Sequence, residues 1–205
     1  MRKIAKIYKT QLNPTKTHIV NRLIGTGDLY ASWRLLDREG EVGIESLVCL
    51  AAAGELYQIP LTYRARKISD DTTLLTLEHG VLGCRWVSPM TKDRVAIGEL
   101  LDTVLGQEQG ALPSQREVHV LDVRGEGNHR FGQWNLNTVQ INASTLYTCT
   151  GSIEIDGIRR NFVVDFPEKL QDAATYVPAP GELLLVGEWE ENPAQEYVVA
   201  TVRFP

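Results

Sequence analysis

Runs of apolar residues with a helical period alternate with runs of period two, and together they predict two helices among many strands. Ile19, Val20, Leu23 and Ile24 fall on one helical face, behind Asn13 as N-cap and Pro14 at the first helical position, with Gly25 as the stop. After Gly25 the period becomes two. Leu29 to Leu36, Val42 to Ala52 and Leu56 to Tyr63 read as three strands of an antiparallel meander, joined by the short turns Asp37-Arg38-Glu39-Gly40 and Ala53-Gly54-Glu55. Thr72 to Leu77 and Cys84 to Val87 extend it, and Gly80 with Gly83 suggests a bend or bulge between them. A second helix, capped by Asp93 and closed by Gly106, carries Ile97, Leu100, Leu101, Val104 and Leu105 at the spacing of a helix laid on a sheet.

Gln107 to Arg116, with Gly110 and Pro113, reads as a linker. Beyond it the pattern is again β: Val118 to Val123, Val139 to Thr150, Ser152 to Ile155, Arg159 to Phe166, Leu183 to Glu190 and Tyr197 to Phe204. Asp156-Gly157 is the strongest hairpin signal, and Pro167 to Gly181 is a long connection. The fold class expected is α+β, mostly antiparallel β. It divides into an α+β part over residues 1–110 and a β-rich half over 111–205, which either stands apart or shares the first core.

Composition narrows the function more by exclusion than by assignment. With 205 residues the chain is shorter than the roughly 250 of a (β/α)₈ barrel. Lys and Arg number 21 against 26 Asp and Glu, and the net charge of −5 argues against nucleic-acid and anionic-membrane partners. The basic start lacks the apolar core of a signal peptide, and no run reaches the roughly 18 apolar residues of a membrane span, so the expected address is the cytoplasm. Cys49, Cys84 and Cys149 are odd in number and widely spaced, as small buried hydrophobes in a reducing compartment would be.

Catalytic signatures do not emerge. Gly25-Thr26-Gly27-Asp28 lies between a helix and a strand instead of opening a helix, and the glycines from Gly125 to Gly132 lack phosphate-loop spacing and read as a flexible loop. There is no G-x-S-x-G elbow. His18, His79, His119 and His129 are not spaced as metal ligands, so no metal and no cofactor is expected. Cys84, beside Arg85, reads as a buried strand residue. His79, preceded by Glu78 and followed by Gly80 and Gly83, is the one imidazole in a constrained setting, although nothing assigns it or any other residue a catalytic role. Trp33, Trp86, Trp134 and Trp189 are either cross-strand packing or faces on which a sugar ring could stack.

Three ordered blocks carry a resemblance: Val42-Gly43-Ile44-Glu45, then Tyr57-Gln58-Ile59-Pro60-Leu61-Thr62-Tyr63-Arg64, then Glu78-His79-Gly80-Val81-Leu82-Gly83-Cys84-Arg85-Trp86-Val87. In these the chain resembles the maltokinase N-terminal cap-like family, and the helix from Asp93 to Gly106 and the segment Leu12-Asn13-Pro14-Thr15-Lys16 are similar too. The resemblance implies a cystatin-like curved antiparallel sheet with a helix packed across it, over about residues 1–110. It also implies the context of maltose, trehalose and α-glucan metabolism, where the cap of a full maltokinase precedes an ATP-binding kinase domain. The kinase motifs H-G-D or H-R-D and D-F-G are missing from this sequence, so kinase activity is not expected. The leading expectation is a non-catalytic cap-like protein that binds or regulates a partner enzyme of that metabolism. The alternative is a carbohydrate or small-metabolite binding module using Arg64, Glu78, His79, Arg85 and Trp86 near one end of the sheet.

Overall fold

A computed structural model describes residues 2–25, 27–127 and 131–205. Within them the first segment supplies β1 (Lys3–Ala5), β2 (Leu12–Asn13), α1 (Lys16–Leu23), β3 (Asp28–Leu36), β4 (Val42–Leu50), β5 (Leu56–Arg64), β6 (Leu75–His79) and β7 (Gly83–Pro89). A 3₁₀ turn leads into α2 (Arg94–Leu105). There follow β8 (Ala111–Pro113), β9 (His119–Glu126), β10 (Trp134–Ser144), β11 (Thr148–Ile155), β12 (Ile158–Asp165), β13 (Gln171–Asp172), β14 (Leu183–Trp189) and β15 (Asn192–Arg203).

Thirteen of these strands form one sheet in the order β10-β11-β12-β15-β14-β9-β3-β4-β5-β7-β6-β2, with β13 alongside β15. All its pairs are antiparallel except β3 with β9, while β1 and β8 make a separate parallel pair. Helix α2 touches β4 and also β10, seven places away in the strand order. At about 4.8 Å per strand those two would be some 33 Å apart in a flat sheet, yet a helix is only about 10–12 Å across. The sheet must therefore curl around α2. This explains why α2 is buried nearly all round, from Ala96 to Leu101 and from Thr103 to Leu105.

Alternation along β4 and β5 divides the core between the two faces of the sheet. Val42, Ile44 and Val48 join Trp33, Leu100 and Leu101 in the larger cluster, which also takes in Phe162, Val164 and Val199. The intervening Leu47 and Cys49, with Ile59, Leu61, Leu77 and Val87, pack under Ile19 and Val20 of α1 on the opposite face. Gly125 lets β9 lie directly under α2, because a Cβ there would meet the Thr103 carbonyl oxygen at 2.2 Å and the Val104 Cα at 2.7 Å.

Both helices and the β3-β4-β5 meander lie where the periodicity puts them, with local corrections. Thr15, not Asn13, caps α1, its side chain accepting from His18 N–H at 3.2 Å, and Asn13 belongs to β2. The run from Val139 to Thr150 is two strands, because the Thr145 hydroxyl accepts N–H groups from Tyr147 and Thr148 and turns the chain. Glu78 to Gly83 is a tight hairpin end and not a bulge in a strand. The expected linker contains β8, and Gly125 and Glu126 complete β9 instead of opening a loop. Thr26 and Asn128 to Arg130, including His129, lie outside the described residues. Asp156 and Gly157 turn β11 into β12 at φ of 54° and 73°, the left-handed geometry that Asp-Gly favours.

Candidate functional site

Side chains on neighbouring strands of a sheet share a face when their parity matches the register. Glu45 on β4 sits opposite Leu61, Tyr63 sits opposite Val87, and Leu77 sits opposite Arg85, so Glu45, Tyr63, Arg85 and His79 continue the face that α1 covers. Where α1 begins, this face opens into a groove of about 840 Å³, bordered also by the segment from Ile4 to Thr10 and by Lys16, Arg34 and Arg66.

Its floor is ionic. Glu45 is 2% exposed and holds Arg34 and Lys16 together, with Lys16 Nζ at 3.1 Å from its carboxylate and 3.2 Å from that of Glu117. Beside it the Tyr63 hydroxyl and the Arg34 Nε are buried with no hydrogen-bond partner among the described residues. Burial and the neighbouring Glu45 carboxylate push the Tyr63 phenol well above its ordinary value.

Burial alone would raise the Glu45 pKa, but Arg34 and Lys16 outweigh it and hold the carboxyl below its ordinary 4.5. A folded value lower than the unfolded one means that the unfolded chain binds more protons at acid pH. The Glu45 contribution is therefore complete above pH 4.5 and is lost as pH falls through the lowered folded value. Urea midpoints measured between about pH 6 and 3 are expected to fall more steeply for the native chain than for Glu45→Gln. Parallel curves would contradict this reading.

The β6–β7 hairpin sets His79. Its Nδ1 accepts N–H groups from Val81 at 3.2 Å and Leu82 at 3.1 Å, which assigns the proton of the neutral ring to Nε2. Tyr8 meets the ring edge-on at 5.8 Å. Burial, and then the Arg85 charge, hold the imidazole below its ordinary value of 6.5, favouring the neutral ring.

Of the five residues singled out from sequence, His79 and Arg85 share this face and the groove. Arg64 borders the groove, but its guanidinium is tied to Asp93 at the start of α2, at 2.6 and 2.7 Å. Glu78 and Trp86 have the opposite parity, and Trp86 packs under Lys67, whose Nζ is 5.2 Å from the ring centre. Glu78 and His79 consequently leave opposite faces of β6, so these sequence neighbours do not form a carboxylate-imidazole pair. Lys16, Arg34, Glu45 and Tyr63 were not anticipated from sequence. The available signal was Glu45, an ionisable side chain inside the strand Val-Gly-Ile-Glu-Ser-Leu-Val-Cys-Leu that the core otherwise claims.

The other chemistry-bearing groups have structural partners. Trp33 donates to Gln58 at 3.0 Å, Trp134 donates to Asp102 at 2.8 Å, and Trp189 packs edge-on against Tyr30 and Tyr197. Cys84 is exposed, not buried as expected, yet desolvation and the Glu78 carboxylate outweigh Arg85 and keep its thiol raised. Burial pushes Cys49 up to about 11 and Cys149 to about 12, so neither is a nucleophile at neutral pH. A second cleft, of about 930 Å³, lies between the β3–β4 turn, α2 and β10, where Arg38 reaches Glu99 at 2.9 Å and Asp102 at 2.7 Å. Among the described residues no group of three or more His, Cys, Asp or Glu is placed to hold a metal ion, and no helix is long and apolar enough to cross a membrane.

Fold and groove thus define a mostly antiparallel β protein with an α-helix on each face of its curled sheet. Residues 23–93, running from the end of α1 through the turn before α2, match the family model of the maltokinase N-terminal cap domain. The match covers about a third of the chain and lies within the span over which the sequence blocks resemble that family. The segment around Leu12 to Lys16 and the body of α2 fall outside it. No curated protein matches the chain.

Proposed function

We propose that the chain is a cap-like module without catalysis of its own, which associates with and regulates an enzyme of maltose, trehalose or α-glucan metabolism in the cytoplasm. The observation that carries this reading is the maltokinase cap match across β3 to β7. A cap is a domain that works against a neighbouring catalytic body, and β3 and β4 within the match lie against α2, which supports a cystatin-like sheet with a helix packed across it. The same strands end in a hairpin tip where Val81 is 57% exposed and Leu82 42%. Adjacent apolar side chains on an exposed turn, with Arg66 and Arg85 bordering the same groove as Leu82, fit the centre of an interface with a polar rim.

Affinity capture from native lysate at several salt concentrations, followed by mass spectrometry, tests the proposal. Recovery of an enzyme of maltose, trehalose or α-glucan metabolism is expected, with its loss on Val81→Asp. Failure to recover any such enzyme at any salt concentration, or recovery that Val81→Asp leaves unchanged, would count against it.

A further inference from the structure

The groove beside α1 combines two kinds of surface that core packing does not call for. One wall is apolar, from Tyr8, Leu12, Leu77 and Leu82. The remainder is cationic: six Lys or Arg residues border it against four Asp or Glu, in a chain whose net charge is −5. The carboxylates are largely engaged already. Glu45 holds Arg34 and Lys16, Glu117 shares Lys16, and Asp37 accepts the N–H groups of Glu39, Glu41 and Val42 in the β3–β4 turn. Arg64 is committed to Asp93.

Besides the buried Tyr63 hydroxyl and Arg34 Nε, and Lys6, whose Nζ lies 4.7 Å from the centre of the Tyr8 ring, three donors are left over. Arg85 and Arg66 make no ion pair or side-chain hydrogen bond among the described residues, although Arg85 is partly buried. His79 Nε2–H is the third, because its own hairpin consumes only Nδ1. Arg85 lies diagonally across the β6–β7 pair from His79, on the same face, a separation of about 7–8 Å between Cα atoms. One acid group can bridge such a pair, taking a fixed N–H from the imidazole and a charged fork from the guanidinium. A cationic ligand would be repelled by the unpaired arginines, and a neutral polyol would leave their charge uncompensated. The volume falls within the range of small-molecule sites, about 300–1,000 Å³.

We infer that this groove binds a small organic anion, whose acid head lies between His79 Nε2–H and the Arg85 guanidinium and whose apolar body lies along Tyr8, Leu12 and Leu82. The site needs no partner enzyme, so it is tested on the chain alone and stands or falls separately from the association proposed above.

Isothermal titration calorimetry of the full chain with hexyl phosphate, inorganic phosphate, hexanol and hexylamine separates head from body. Hexyl phosphate is expected to saturate one site, at least about tenfold more tightly than inorganic phosphate or hexanol, and hexylamine is expected not to saturate it. Arg85→Gln is expected to weaken hexyl phosphate about tenfold or more, the usual scale for losing a hydrogen bond to a charged group. Equal binding of hexylamine, an unchanged affinity in Arg85→Gln, or no binding of hexyl phosphate would overturn the assignment. If circular dichroism shows Arg85→Gln unfolded, Leu82→Asp carries the same test from an exposed position. Its carboxylate at the groove mouth is expected to weaken hexyl phosphate by a similar factor, and an unchanged affinity there would overturn the assignment equally.

Discussion

Replacing Asp93 with alanine is expected to destabilise the chain by about 3–5 kcal/mol, the usual cost of removing one partner of a buried ion pair. The Asp93 side chain is fully buried and accepts two hydrogen bonds from Arg64, at 2.6 and 2.7 Å. It also caps α2 by accepting the Val95 N–H at 3.0 Å. Alanine would leave the part-buried Arg64 guanidinium without its counter-charge and free an N–H at the start of the helix around which the sheet curls. Asparagine keeps a capping oxygen and loses only the charge, so Asp93→Asn is expected to fall between the native chain and Asp93→Ala. Urea denaturation followed by circular dichroism checks both, and an alanine variant within about 1 kcal/mol of the native chain would refute the account.

A loss of comparable size is expected for Gln58→Leu, because Gln58 fastens β5 to the far end of the chain. Its Oε1 accepts from Trp33 Nε1 at 3.0 Å and from the Ser46 hydroxyl at 3.2 Å. Its Nε2 donates to the carbonyls of Pro167 and Val199, at 2.9 and 2.7 Å. Leucine nearly conserves volume but leaves four polar groups without this partner. At about 1–3 kcal/mol for each group left unsatisfied, with some relaxation, the total is expected to reach about 3–5 kcal/mol. Since Gln58 ties β5 to β15, hydrogen exchange in Gln58→Leu is expected to rise in β5 and β15 together. Faster exchange confined to β5 would show that the side chain does not couple them.

These two positions mark where the sequence was and was not legible. Asp93 could be read as a helix cap because capping depends on residues a few places away. Its pairing with Arg64 could not, because that contact depends on the register that places β5 beside β7. Gln58 sat inside a block resembling the cap family, but nothing local reveals a side chain that bridges to Pro167 and Val199. The hairpin at Asp156 and Gly157 was legible for the same reason as the cap, since two residues determine the turn. The break at Thr145 to Tyr147 was not, because its Thr hydroxyl anchor carries no Gly or Pro. At the candidate site, His79 was legible from the glycines that follow it, and Arg85 from its place in the block resembling the cap family. Their separation from Glu78 and Trp86 follows only from strand parity, and the Lys16-Arg34-Glu45 cluster required three elements to be in place.

Reconstitution decides whether the chain associates with an enzyme of maltose, trehalose or α-glucan metabolism. The purified chain is mixed with a purified maltokinase at concentrations on the order of 10 µM and examined by sedimentation velocity. A faster-sedimenting complex is expected, which Val81→Asp abolishes while leaving the isolated chain folded. Two independent boundaries for the native chain, here and with each other purified enzyme of maltose, trehalose and α-glucan metabolism, would contradict it.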